Sequence, residues 1–151
     1  MSRNLIRIAV IALTLFAGAA LAPVRAATPD DAKALADKAA ALIASEGDKA
    51  FSKIDDPNGG FVQGELYVVV LDMKGVVRAN GMTKMIGMNL WDAKDPDGVP
   101  FTQNIVKLAT DSGTGWVNYK FSNPATKKIE PKKTWVHKVG DYVVLCGVYV
   151  K

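Results

Sequence analysis

Residues 66–80 read LYVVVLDMKGVVRAN, and this stretch decides the class of fold. Its first six residues are apolar and mostly β-branched, a polar turn follows at 72–75, and a second apolar run ends at Asn80. Two such runs joined by a short turn predict a β-hairpin. The first strand is apolar on both alternating faces, so other elements should cover both faces of the sheet there.

A helix is predicted upstream of this hairpin. Thr28 can cap its start, Pro29 suits the first helical position, and the two aspartates that follow favour the positive end of the helix dipole. Apolar residues then recur at helical spacing. We therefore predict one long amphipathic helix over 29–54, with a bend near Gly47 and a loop at 55–60.

Downstream of the hairpin, residues 81–100 look irregular and a short helix is predicted over 101–110. Three more strands are predicted over 116–121, 133–138 and 142–150, with a polar loop at 122–131. This order predicts an α+β domain with an antiparallel sheet of about five strands. One sheet face should pack on the long helix. Segment 81–112 should cover the other face. A small-ligand cavity is expected between this segment and the sheet.

The composition fits one globular domain. The chain has 151 residues, of which 49% are apolar and 23% charged, and this balance argues against disorder. A single cysteine excludes an intramolecular disulfide. One cysteine and one histidine also cannot form a zinc site of the usual type.

Residues 1–26 have the features of a secretory signal peptide. Arg3 and Arg7 start it, an apolar core follows over 8–22, and small residues precede a cut after Ala26. The alternative is an uncleaved anchor, but the apolar run is shorter than the roughly 20 residues that span a bilayer. Cleavage removes three arginines and no acid, leaving 16 basic against 15 acidic residues. That near-neutral chain is expected in the periplasm and gives no support for nucleic-acid binding.

Several stretches are similar to one family in their order and spacing. They are GWVNYKF at 115–121 followed by Pro124, PKKTWV at 131–136, and GVY at 147–149, with smaller matches at the 72–75 turn and at 86–87. Together they resemble the single Cache domain, the extracellular sensor module of bacterial chemoreceptors and histidine kinases. The resemblance spans residues 29–150. It implies a PAS-like, profilin-like fold that binds a small organic acid or an amino acid.

Lys132 is the leading ligand residue, because the resemblance places it at the family's lysine and an ammonium in a partly dry pocket suits a carboxylate. The alternative is a solvated residue of a basic stretch. Lys133 would point to the opposite sheet face, so the strand register decides between them. Tyr119 and Phe121 share one strand face and would orient and shield the ligand, or simply pack in the core.

Three further candidates complete the expected site. Tyr67 lies in the central strand and is either pocket or core. Trp91 lies in the irregular segment, where it would form a pocket wall or anchor that segment to the sheet. Asn80 can donate to and accept from a ligand oxygen, but it can equally cap the end of its strand.

The sequence also departs from the family pattern. Asn80 stands where many members carry histidine, and Phe121 where tryptophan is usual, which leaves open an interaction or structural protein that kept the fold without the ligand. Receptors continue into a second membrane helix, whereas this sequence ends at Lys151, so a free-standing periplasmic module is expected. Its expected partners are a membrane histidine kinase or chemoreceptor and a second copy, paired through the alanine-rich helix.

Catalysis and metal binding find little support in the sequence. It contains no nucleophile–base arrangement and no glycine-rich phosphate loop, so an enzyme is disfavoured. Asp92, Asp95 and Asp97 suggest a calcium loop, but their spacing does not fit an EF-hand and no glutamate follows at the required distance. We therefore expect neither a metal nor a cofactor.

Overall fold

The computed structural model describes residues 25–82 and 84–150. The predicted signal peptide therefore lies outside the described residues, except for its last two positions. The described part of the chain contains helices α1 (Pro29–Glu46), α2 (Ala50–Asp55) and α3 (Phe101–Ser112). Its strands are β1 (Val62–Gln63), β2 (Leu66–Asp72), β3 (Val77–Asn80), β4 (Thr114–Ser122), β5 (Ile129–Val139) and β6 (Tyr142–Tyr149). None of the helices in this part is long and apolar enough to cross a membrane.

Helix α1 begins with a capping box. The Thr28 hydroxyl accepts a hydrogen bond from the Asp31 backbone N–H (3.2 Å), and the Asp31 carboxylate accepts one from the Thr28 N–H (2.9 Å). These bonds satisfy donors that a helix start leaves unpaired. The helix ends at Gly47, whose φ of +60° is in the left-handed region. A single 3₁₀ turn then connects α1 to α2, and this turn is the predicted bend.

The six strands form an antiparallel sheet in the order β1-β2-β6-β5-β4, with β3 also paired to β2. This confirms the predicted α+β class. Two details differ from the prediction. The two-residue strand β1 was not predicted, and β5 begins at Ile129, inside the predicted loop, because it pairs with β4 out to Ser122.

One face of the sheet packs on α1 and α2. Alanines on α1 allow a close approach to β2 and β6, and the buried ones are Ala32, Ala36, Ala39 and Ala40. They belong to the alanine-rich set that was expected to pair with a second copy. These four alanines face the sheet of the same chain, and only Ala34 and Ala41 of that set are exposed. A dimer through α1 remains a prediction.

Asp37 ties α1 to strand β5. Its carboxylate accepts hydrogen bonds from Trp135 Nε1 (2.9 Å) and Lys33 Nζ (2.6 Å), and it contacts His137 Nδ1 at 2.7 Å. Burial alone would raise the pKa of Asp37, but these three contacts outweigh it and hold the pKa below its ordinary value. The odd-numbered side chains of β5 therefore face α1.

The second face of the sheet is covered by α3 and the irregular segment before it, as predicted. Asp95 organises that segment. Its carboxylate accepts hydrogen bonds from the backbone N–H groups of Lys120, Asp97 and Val99, each at 2.9 Å. These bonds, the one from Lys120 above all, lower the pKa of Asp95. Asp95, one of the three aspartates that suggested a calcium loop, thus connects this segment to β4.

Candidate functional site

A small cavity lies between the sheet and the 81–112 segment, on the face opposite α1. Its position confirms the prediction. The cavity volume is about 40 Å³, and a single water needs about 10–15 Å³. It can therefore hold a chain of only a few heavy atoms. Strands β2, β4, β5 and β6 form its floor, and α3 with Met85 and Leu90 forms its cover.

Lys132 enters this cavity from β5 and is only 5% exposed. Its Nζ donates a hydrogen bond to the Tyr67 hydroxyl oxygen at 2.9 Å. The same Nζ lies 4.3 Å from the ring centroid of Tyr67, 4.9 Å from that of Tyr149 and 5.5 Å from that of Phe121. Aromatic faces attract a cation at these distances, so three rings hold the ammonium in place.

The strand register separates the two adjacent lysines. Lys132 pairs with Tyr149 of β6 and faces the cavity. Lys133 faces the other side of the sheet, where its Nζ lies 4.8 Å from the ring of Trp116. Of these two lysines, only Lys132 can therefore contact a molecule in the cavity.

Within residues 25–82 and 84–150, the ammonium of Lys132 has no anionic partner. The ammonium has three N–H donors. Among the described residues, only the Tyr67 hydroxyl accepts a hydrogen bond from it. A buried charge is costly unless it is paired. An anion in the cavity would supply the missing charge and accept the remaining hydrogen bonds.

A chain of hydroxyls extends from Lys132 to the backbone. The Tyr149 hydroxyl donates to the Ser122 carbonyl (2.8 Å), so Tyr67 is the donor in its 3.4 Å contact with Tyr149. Burial raises the pKa of Tyr67 and of Tyr149 to about 12. Both phenols therefore stay neutral, and the Tyr67 oxygen is oriented to accept from Lys132.

Tyr119 forms part of the cavity wall and carries a second hydroxyl. Its ring stacks on Phe101 with 4.8 Å between centroids and 13° between planes. Its oxygen accepts a hydrogen bond from the Thr134 hydroxyl at 3.1 Å, and burial raises its pKa to about 12. The Tyr119 proton is thus retained and can be donated to an oxygen atom in the cavity.

The cavity favours binding over covalent chemistry. Among the described residues that line it, Lys132 carries the only formal charge, and none is an aspartate, glutamate or histidine. Cys146 also lines it, but burial raises the pKa of its thiol to about 12, which keeps it protonated and unreactive. A charged donor, neutral donors and an apolar wall can recognise a small anion.

Five of the six predicted site residues line this cavity: Lys132, Tyr119, Tyr67, Asn80 and Phe121. Trp91 does not line it, and this residue is 37% exposed. Its backbone is packed against the β2–β3 turn, where a methyl group at Gly75 would lie 3.1 Å from Trp91 N. The Trp91 carbonyl also accepts a hydrogen bond from Gln103 (3.0 Å). These contacts anchor the segment, and Leu90 takes the wall position instead.

Asn80 borders the cavity and also makes the strand-end contacts that the alternative interpretation expected. Its side chain lines the cavity. Its Oδ1 accepts a hydrogen bond from the Met82 N–H at 3.1 Å, and its backbone N–H donates to Asp55 at 2.7 Å. Asn80 therefore caps the end of β3 and connects that strand to α2.

Sequence reasoning missed Thr102 and Gly147, which also line the cavity, and Tyr149, whose ring lies 4.9 Å from Lys132 Nζ. A signal existed for Tyr149. Strands β5 and β6 are joined by a two-residue turn with Val139 opposite Tyr142, and counting outward from that turn places Tyr149 opposite Lys132. No comparable signal marks Thr102, which lies on the apolar face of α3.

Comparisons with known proteins agree with this architecture. The sequence model of the single Cache domain 2 family matches residues 24–151. A methyl-accepting chemotaxis protein from Vibrio parahaemolyticus is similar in structure, with a TM-score of 0.69 and 18% identity over 81% of this chain and 88% of that chain. A periplasmic sensor domain of a chemotaxis protein has a TM-score of 0.64 and 22% identity, covering 81% and 90%. A Cache chemosensory domain described for carboxylic acid recognition has a TM-score of 0.63 and 23% identity, covering 81% and 88%.

Proposed function

We propose that this chain, which belongs to the single Cache domain 2 family, binds a short carboxylic acid in the Lys132 cavity and serves as a sensor module. One observation carries the proposal: a buried ammonium without an anionic partner among the described residues faces a small, otherwise uncharged cavity. A carboxylate oxygen would accept from Lys132 and from the Tyr119 hydroxyl. The carboxylic acid recognition described for one structural neighbour supports the same ligand class.

The cavity favours an acid without an amino group. An amino acid would bring an ammonium beside Lys132, and no carboxylate among the described lining residues could pair with it. We therefore narrow the ligand class from organic acids or amino acids to organic acids. The best small ligands gain about 1.5 kcal/mol per heavy atom. A four-atom acid then reaches a dissociation constant of tens of micromolar at best.

Replacing Lys132 with methionine tests this proposal. The protein is refolded to remove carried-over ligand, and calorimetric titrations with acetate, propionate and alanine are compared. We expect propionate or acetate to bind the unsubstituted protein and alanine to show no heat. Lys132→Met should weaken acid binding about 100-fold, because a hydrogen bond to a charged group contributes about 1.5–3 kcal/mol. It should leave the melting temperature unchanged or higher, since a buried charge is removed.

Lys133→Met is the matched control, because it makes the same chemical change on the opposite sheet face. Its acid affinity should stay within about threefold of the unsubstituted protein. Equal losses in the two variants, or unchanged affinity in Lys132→Met, would contradict the proposed site. A protein that binds no short acid at all would favour the interaction-protein alternative.

We also propose that the module is exported to the periplasm after removal of residues 1–26. The positively charged start, the apolar core and the small residues before position 27 support this. When residues 1–151 are produced in a bacterium with an outer membrane, the periplasmic fraction should contain a chain that begins at Ala27. Intact-mass spectrometry checks this directly. A membrane-bound chain that retains residues 1–26 would instead demonstrate an uncleaved anchor.

A further inference from the structure

Thr102 places an unpartnered hydroxyl in the cavity. The residue lies in the first turn of α3 and is 0% exposed. Its Oγ1 is buried and has no hydrogen-bond partner among the described residues, and the side chain lines the same cavity as Lys132. Buried polar groups are nearly always paired, so this hydroxyl is available to whatever fills the cavity.

Thr110, a second threonine of α3, forms the local hydrogen bond that Thr102 lacks among the described residues. A helical threonine usually donates to the carbonyl four residues earlier, and Thr110 does so to Val106 at 2.8 Å. For Thr102 the corresponding residue is Gly98, which precedes the helix. The position of Thr102 at the helix start therefore removes the ordinary local partner. A hydrogen-bond partner for Thr102 Oγ1 can then approach from the cavity.

Thr102 and Lys132 line the cavity near different ends of strand β2. A methyl group at Gly75, in the turn after β2, would lie 3.0 Å from Thr102 Cγ2. Lys132 Nζ bonds Tyr67 near the start of β2. The lining also includes the aliphatic side chains of Leu71, Ile105 and Leu145. The cavity therefore presents a cation, an aliphatic surface and a separate neutral hydroxyl.

We propose that the ligand is a short carboxylic acid with a second, uncharged oxygen, a hydroxyl or a carbonyl, which hydrogen-bonds Thr102 Oγ1. This inference rests on the proposed function and specifies its ligand class. A hydroxyl side chain can both donate and accept, so a hydroxy acid and an oxo acid satisfy it equally. A site that presents a buried polar group discriminates against analogues that lack the matching group, because that group is then left unpaired.

Calorimetric titrations with matched acids test the proposal. Propionate is compared with lactate and 3-hydroxypropionate, and butyrate with 4-hydroxybutyrate. We expect at least one hydroxy acid to bind about tenfold more tightly than its parent acid. Thr102→Val keeps the side-chain shape and should abolish that preference while leaving the parent acid's affinity unchanged. Thr102→Ser, which retains the hydroxyl, should keep the preference.

The unliganded variants distinguish a ligand role from a structural one. Thr102→Val removes an unsatisfied hydroxyl, so its melting temperature should equal or exceed that of the unsubstituted protein, whereas a structural role would lower it. Thr110→Val is the matched control on the same helix and should not alter the preference. The proposal is overturned if every parent acid binds as tightly as its hydroxy form, or if the preference survives in Thr102→Val. Binding of no acid by the unsubstituted protein would instead refute the proposed function itself.

Discussion

Gly147→Ala is expected to abolish acid binding and to lower the melting temperature by about 5–10 °C. A methyl group at this position would lie 2.4 Å from Thr134 Oγ1, 2.9 Å from Lys132 Cε and 2.9 Å from the Lys133 carbonyl oxygen. The carbonyl belongs to a paired strand and cannot move freely, so the two side chains must shift. Both shifts change the cavity, because Thr134 orients Tyr119 and Lys132 carries the charge. Differential scanning calorimetry and acid titration measure the two effects.

Gly115→Ala is the matched control for this variant. It places the same methyl group in another strand, where it would meet the flexible end of Leu108 at 2.9 Å. We expect a smaller fall in melting temperature and an acid affinity within about threefold of the unsubstituted protein, since a leucine end can rotate away. If Gly147→Ala binds acids as well as Gly115→Ala does, the space at position 147 is not required by the site.

Ile54→Ala is expected to have the largest effect on stability. Ile54 is fully buried and belongs to the core between the sheet and the amino-terminal helices. Truncation of a buried isoleucine removes apolar contacts and leaves a cavity, which costs about 2–5 kcal/mol. For a domain of this size we expect the melting temperature to fall by about 10 °C or more. Urea unfolding followed by circular dichroism gives the free energy of unfolding.

Ile129→Ala makes the same chemical change at a surface position. Ile129 is 58% exposed at the start of β5, so its free energy of unfolding should change by no more than about 0.5 kcal/mol. A difference of less than 1 kcal/mol between these two alanine variants would contradict the assignment of α2 to the core.

The fold could be predicted wherever a local pattern reflects the tertiary environment. The capping signal at Thr28 marks the helix start, and a β-branched run that is apolar on both faces marks β2 as a central strand. Strand β1 could not be predicted because two residues show no alternation. The start of β5 was missed because Ile129–Pro131 become strand through pairing with β4, and pairing partners are not visible in local sequence.

The site was predicted less completely than the fold. Lys132 was identified by resemblance to a family, and the choice between it and Lys133 required the register that the structure supplies. Trp91 was expected in the cavity because of its size, but its backbone contacts turn the ring outward. Thr102 could not be found from the sequence, because its importance depends on a missing partner and a threonine on an apolar helix face looks like ordinary packing.

The sheet order has a consequence for biosynthesis. Strand β6 lies between β2 and β5, yet it follows the five other strands along the chain. Until residues 142–149 have been synthesised, the β1–β2–β3 group and the β4–β5 hairpin share no strand, and Cys146 and Val148 are absent from the core against α1. Contacts so distant in sequence form slowly. The sheet therefore cannot close until nearly the whole domain has been made, so a chain shortened within β6 should fail to fold.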